Sequence, residues 1–270
     1  MAKAAVVAFS DLHIGSTVGL CPANVELDDG GRYGATKAQM WLLDCWRRAW
    51  QQVAKLTEGY EVLAVCNGDA VDGDHHGTFQ LWSRNPEDQI RVACEMLAPV
   101  QQFAHRLFMV RGTEAHVGGS AWLEEAIGHR LETEPCPATG THSWYRLPLV
   151  AGGVRFFVAH HASMGGKELS RGTAAAGLAV DTMTYCAIHR LTMPDVVVRS
   201  HNHRWADSGT TYPVRAVGLP AWQLGTAYIS RRTPMSVADV GLCVWLCEGG
   251  SYAMHPIRYT PKEDRWWTLR

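Results

Sequence analysis

No two of the eight cysteines in this 270-residue chain are spaced C-x-x-C; they stand at 21, 45, 66, 94, 136, 186, 243 and 247. That scatter argues against a zinc knuckle and a dense disulfide framework, so reduced and mostly buried thiols are expected. A charge excess is missing as well: 25 Lys and Arg offset 26 Asp and Glu, leaving a formal net charge of -1. No whole-protein field then steers the chain toward nucleic acid or an acidic membrane, and a polyanion would need a local patch. Arg190, Arg199, Arg204 and Arg215 are the one suggestion of such a patch. No apolar run approaches membrane-spanning length. The stretch Met1 to Phe9 is too short for the core of a signal peptide. A soluble, cytoplasmic protein with no membrane partner is expected. No Pro/Ser-rich linker, repeat or low-complexity tract interrupts the chain, which favours a single domain over 1–270.

What is present is 47% apolar residues, enough for a substantial core, and 13 histidines. Short apolar runs alternate with helical patterns: Ala4 to Phe9, Thr36 to Leu56, Val62 to Cys66, Glu87 to His105, Leu107 to Val110. This is β-α-β-α-β order. Thr36 with Gln39 three residues on forms a capping box, and Leu42, Trp46, Ala49, Val53 and Leu56 fall on one helical face. Beyond Gly140 come strand-like runs at Trp144 to Leu149 and Val154 to Ala159, an Ala-rich helix around Lys167 to Arg190, and a strand at Val196 to Val198. The part from 211 to 270 reads as β-rich. It also holds Trp222, Trp245, Trp266 and Trp267, which with Trp205 suit packing first and a substrate-stacking wall second.

Parallel strands joined by crossover helices place functional loops at their carboxyl ends. Four such ends carry metal-ligating residue types: Asp11 and His13; Asp69; His160 and His161; His201 and His203. Spacing alone is weak evidence, since D-x-H and H-x-H should each occur about 0.6 times by chance at this composition. The conjunction is the signal, because accidents would not all fall just after strands at one rim. Carboxylates and imidazoles without thiolates suit two divalent ions such as Mn, Fe or Zn. Such a pair, roughly 3.5 to 4 Å apart, would acidify a shared water and clamp both oxygens of an in-line displacement at phosphorus. Two ions bring +4 against -2 from Asp11 and Asp69, a local anion trap in a neutral chain.

Asp11-x-His13, Gly68-Asp69-x-x-Asp72, a glycine-bearing third loop, His160 after a strand and His201-x-His203 follow one another in order. In these motifs, over about Val6 to His203, the chain resembles the calcineurin-like metallophosphoesterases. The resemblance implies an α/β fold, a four-layer α/β/β/α sandwich of mixed sheets. It implies that Asp11, His13, Asp69 and His203 hold one metal, and that Asp69 as bridge, His160 and His201 help hold the second. Asp72 is expected to orient a ligand from behind. The third motif departs from the family's Gly-Asn-His followed by an acid, being Gly112-Thr-Glu-Ala-His116 here, a run similar to a phage and prophage variant. Glu114 is expected to replace the Asn oxygen, and His116 to be the imidazole that protonates the leaving group. Of His160 and His161 the first is the usual ligand, and His161 is assigned to substrate. His75 and His76 are read either as facing the substrate phosphate or as a solvated loop pair. His105, His129, His142, His189 and His255 are read as ordinary histidines.

The implied function is hydrolysis of a phosphate ester, of nucleotide-type phosphodiester class, by a metal-bound hydroxide, with Asp69 and His116 catalytic and a nucleotide or nucleic acid as partner. The alternative is a metal-binding protein with little or no turnover. A serine hydrolase built on His161-Ala-Ser163-Met-Gly165 is disfavoured, because the bulky His161 stands where a nucleophile elbow needs a small residue.

Overall fold

The computed structural model describes residues 3–161, 168–232 and 237–261. In chain order the strands and helices are β1 (Ala4–Phe9), β2 (Asn24–Glu26), β3 (Arg32–Gly34), α1 (Lys37–Leu56), β4 (Glu61–Asn67), α2 (Pro86–Phe103), β5 (Arg106–Val110), α3 (Glu114–Val117), α4 (Trp122–Arg130), β6 (Ser143–Trp144), β7 (Leu147–Ala151), β8 (Val154–Val158), α5 (Arg171–His189), β9 (Val196–Arg199), β10 (Ala206–Asp207), β11 (Arg215–Gly218), α6 (Ala227–Arg232), β12 (Val240–Glu248) and β13 (Ser251–Tyr259).

Two mixed sheets form the centre. The first has the order β13-β12-β1-β4-β5-β6, in which β1, β4, β5 and β6 run parallel and β12 lies antiparallel to both β1 and β13. The second has the order β10-β11-β9-β8-β7, parallel in its middle three strands. Side chains of β1 alternate between two cores, as a strand buried on both faces must. Val7 and Phe9 join Leu42, Trp46 and Val53 of α1, Leu97 of α2 and Ile127 of α4 on one side. Val6 and Ala8 join Val65, Phe156, Val158, Val198 and Trp245 between the sheets. On the far face of the second sheet, Ala175 and Leu178 of α5 pack on Ala206. The layers therefore run helix, sheet, sheet, helix, the α/β/β/α order expected.

Local signals act as read. The Thr36 side chain accepts from Gln39 N at 3.2 Å, and Gln39 Oε1 accepts from Thr36 N at 3.0 Å. Three readings change. The run Trp144 to Leu149 divides into β6 and β7, which belong to different sheets because the chain crosses between them at Tyr145-Arg146. The short helices α3 and α4 between β5 and β6 were not expected. The region after 211 contains α6 as well as strands, and β12 pairs with β1 at the middle of the first sheet. Among the described tryptophans of the last third, Trp222 and Trp245 are fully buried, whereas Trp266 and Trp267 lie outside the described residues. No helix among the described residues is long and apolar enough to cross a membrane.

Candidate metal centre

Five loops meet at one rim, each leaving the carboxyl end of a strand: Asp11 and His13 after β1, Asp69 and Asp72 after β4, Thr113 and His116 after β5, His160 and His161 after β8, His201 and His203 after β9. The turns that aim these side chains are costly. Asp11, His13, Asp69, His201 and His203 all have φ between 45° and 72°, a left-handed region that non-glycine residues seldom enter and that concentrates at functional sites. Glycines let the loops close: a Cβ on Gly68 would lie 2.4 Å from His160 Nδ1, and one on Gly112 would lie 2.3 Å from Asp69 N. Backbone bonds then lock the loops, with Asp11 N donating to Gly68 O at 2.9 Å and His13 N to Asp69 O at 3.0 Å. Asn67 Nδ2 donates to Ser200 Oγ at 2.6 Å and to Ala159 O at 3.2 Å, tying the two sheets together beneath the rim.

Two adjoining sets of ligand atoms result, Asp11-His13-His203 and Asp11-Asp69-His160, and a third set of His160, His161 and His201 opens toward solvent. His13 Nε2 and His203 Nε2 face each other at 3.1 Å. His160 Nε2 is 3.0 Å from Asp69 Oδ2, and His201 Nδ1 is 3.9 Å from the same oxygen. The buried Asp11 Oδ1 makes no hydrogen bond, although His203 Nε2 stands 3.3 Å away. A buried carboxylate oxygen without a donor is costly, and with ring nitrogens converging beside it this set fits a divalent cation. The nitrogens that do not face inward are fixed: the second ring nitrogen of His160 is 2.6 Å from Asn67 O, and that of His13 is 2.8 Å from Asp72 Oδ1. Such outer contacts set the tautomer and orientation of a ligating imidazole.

Burial holds the His13 imidazole below its ordinary value, against the pull of Asp72. Burial opposes the charges of Asp11 and Asp69, yet the facing histidines keep both carboxyls below the usual range. Burial would lower His160, but Asp69 outweighs it and raises the group to about 10. His116 is likewise lowered by burial and raised more by Asp72 and Asp69, to about 9.

Most residues singled out in the sequence meet here: Asp11, His13, Asp69, His160, His201 and His203 line the centre, with Asp72 behind His13. His116 joins a set with His13 and Asp69 and another with Asp72 and His75. His161 stands at the mouth beside His201, their ring centroids 4.9 Å apart. Glu114 stands apart from this cluster: its side chain is exposed and joins none of these sets, α3 starting at Glu114. Thr113 faces the centre: its backbone N donates to Asp69 Oδ1 at 2.6 Å, its Oγ1 donates to Asp69 Oδ2 at 3.0 Å, and Oγ1 lies 2.9 Å from His201 Nδ1. His76 is exposed and joins no set, so only His75 of that pair reaches the centre. The arginine patch does not assemble as a free surface: Arg199 is buried and donates to Phe157 O and Val198 O, and Arg215 is paired with Asp207. Ser163 and Gly165 lie outside the described residues.

Sequence reasoning missed Glu124. It is fully buried in α4, and its two oxygens accept from Ala70 N at 3.2 Å and Gly112 N at 2.7 Å, clamping the second and third loops together. Burial, then the charge of Asp69, pushes it up to about 7. Gln223 was missed too; its Nε2 donates to Asp72 Oδ1 at 3.4 Å, while Trp222 N donates to Asp11 O at 2.9 Å.

No family model and no curated protein matches the chain. Among solved structures it is similar to vacuolar protein sorting 29 from Cryptosporidium parvum over 97% of this chain and 100% of that one, with TM-score 0.48 and 9% identity. It is similar to a dimetal phosphatase from Danio rerio over 94% and 96% of the two chains, with TM-score 0.47 and 10% identity. A 5'-nucleotidase from Candida albicans is similar over 89% of this chain and 46% of its own, with TM-score 0.36 and 9% identity. At so remote a likeness the chemistry has to be read from the site's own residues.

Proposed function

We propose that the protein is a metal-dependent phosphoric ester hydrolase that uses two divalent ions to cleave a phosphodiester of nucleotide type. The observation that carries this is the pair of adjoining ligand sets that share Asp11 at the buried floor of the rim, with Asp69 beside it. Oxygen and imidazole donors suit Mn, Fe or Zn, and when bound such ions supply Lewis acidity, an acidified water and charge to neutralise a phosphate.

The remaining roles belong to the chain. Asp11 and Asp69 both stand within reach of His13 and His160, Asp11 at 4.0 and 3.9 Å and Asp69 at 4.0 and 3.0 Å; Asp69, which His201 also faces at 3.9 Å, would be the carboxylate shared between two ions. Asp72 and the Asn67 carbonyl hold His13 and His160 in register, and Thr113 holds the Asp69 carboxylate from the third loop. His116 Nδ1 donates to Asp72 O at 2.9 Å, which leaves Nε2 to hand a proton to a departing alkoxide. Burial would lower the His116 imidazole, but Asp72 and Asp69 outweigh it and raise the group to about 9. His161 and His75, at the edges of the centre, would meet the phosphoryl oxygens in this reading. A net charge of -1 favours a small ester over a long duplex, whose binding leans on many phosphate contacts.

Elemental analysis combined with turnover of bis-p-nitrophenyl phosphate, with added Mn²⁺ and after chelation, tests the reading. Two metals per chain and hydrolysis that chelation abolishes are expected. Bound metal without turnover would leave a metal-binding protein, and absence of metal would sink both.

A further inference from the structure

His116 also borders a cavity of about 190 Å³ outside the ligand sets. Its other walls come from the second loop at Gly73 and Asp74, from Arg84 and Gln89 beside and within α2, and from Trp122 at the start of α4. The volume is well under the roughly 300–1,000 Å³ of a site for a drug-sized ligand, so the space suits a single ring system. Trp122 is half exposed, at 49%. Gly118, with φ +77, makes room for its indole: a Cβ there would lie 2.3 Å from Trp122 Nε1. Gln89 is spent on structure, since its Oε1 accepts from Gly73 N and its Nε2 donates to Ser83 O. Arg84 Nε and Asp74 Oδ1 face each other at 3.8 Å. That pair cancels its own charge and disfavours a second phosphate, yet offers both donors and acceptors to the polar edge of a ring.

We propose that this cavity is the leaving-group subsite, and that it takes a planar aromatic ring, aryl or nucleobase, stacked on Trp122. The proposal rests on the hydrolase reading above, because His116, the group assigned there to protonate the departing alcohol, is one of the cavity's walls. In that step the phosphorus–oxygen bond to the alcohol breaks and water forms the new one. The His116 proton goes to the departing oxygen, and a proton of the water restores His116.

Steady-state kinetics of the Mn²⁺-loaded protein with bis-p-nitrophenyl phosphate test it through two variants that keep bulk in the cavity. Trp122→Leu, which removes the π face, should raise KM about fivefold or more, the low end of a lost stacking contact. Its kcat should stay within about twofold, and Trp122→Phe should restore KM. The inhibition constant of inorganic phosphate, which carries no ring, should not move in either variant. An unchanged KM in Trp122→Leu, or equal losses for the ester and for phosphate, overturns the subsite while the hydrolase stands. A wild-type protein that binds metal but turns over no ester overturns both.

Discussion

Asp69 is loaded from four directions, by His13, His160 and His201 and by the Thr113 hydroxyl. Asp69→Asn should therefore remove both metals together, giving less than one per chain by elemental analysis and loss of ester hydrolysis; one metal and partial activity would refute a shared bridge. Asp72→Ala removes an outer contact of His13 and should weaken metal binding about 10–100-fold in a chelator competition. Glu114→Ala should change neither metal content nor turnover, whereas Thr113→Val should reduce both. The cluster of candidate ligands was legible because acids and histidines sit at fixed offsets from recognisable strands. The third loop was not, because a one-residue choice between Thr113 and Glu114 depends on where a four-residue helix starts. Glu124 left no trace in the sequence at all, since its partners are two backbone amides, which every residue type supplies.

Helices and strands differ in how openly they announced themselves. Strands such as β1 and β4 are buried on both faces and read as unbroken apolar runs, and α1 carries its capping box in plain sequence. The helix α4 did not, because its inward face includes Glu124 beside Leu123 and Ile127, and a buried carboxylate spoils the apolar period. Thr36→Ala should cost about 1 kcal/mol in denaturant unfolding through loss of the α1 cap. In the second sheet, Asp207 of β10 and Arg215 of β11 form a two-armed pair at 2.9 and 2.7 Å. Burial raises the Asp207 carboxyl but Arg215 outweighs it, so the folded value is depressed. The pair thus adds stability above the ordinary carboxylate value, and loses it as pH falls through the folded value. The melting-temperature gap between the wild type and Asp207→Asn should be present at pH 7 and shrink as pH falls below the ordinary carboxylate range; a gap that widens in acid would contradict this.

At the scale of the whole molecule, the proposed metals and the fold would be coupled. The candidate ligands come from loops across both sheets, so ions that bind only the folded chain would stabilise it by about 2.7 kcal/mol per site at a hundredfold excess over Kd. Chelation should lower the melting temperature by several degrees, and a melt indifferent to chelator would show that the loops hold without ions. The buried Trp245, between the sheets, should cost about 3–5 kcal/mol on truncation to alanine. One further property follows from β12 lying beside β1. Strand β1 pairs on one side with β4 and on the other with residues 243–247, and the loop bearing Asp11 is fastened by Trp222. Contacts of such long sequence separation form late and slowly. The nascent chain must therefore carry an open sheet edge at β1 until β12 is made, and the loops of the candidate metal centre stay unassembled for the same interval. Refolding is expected to be slow, and chaperone-dependent when crowded.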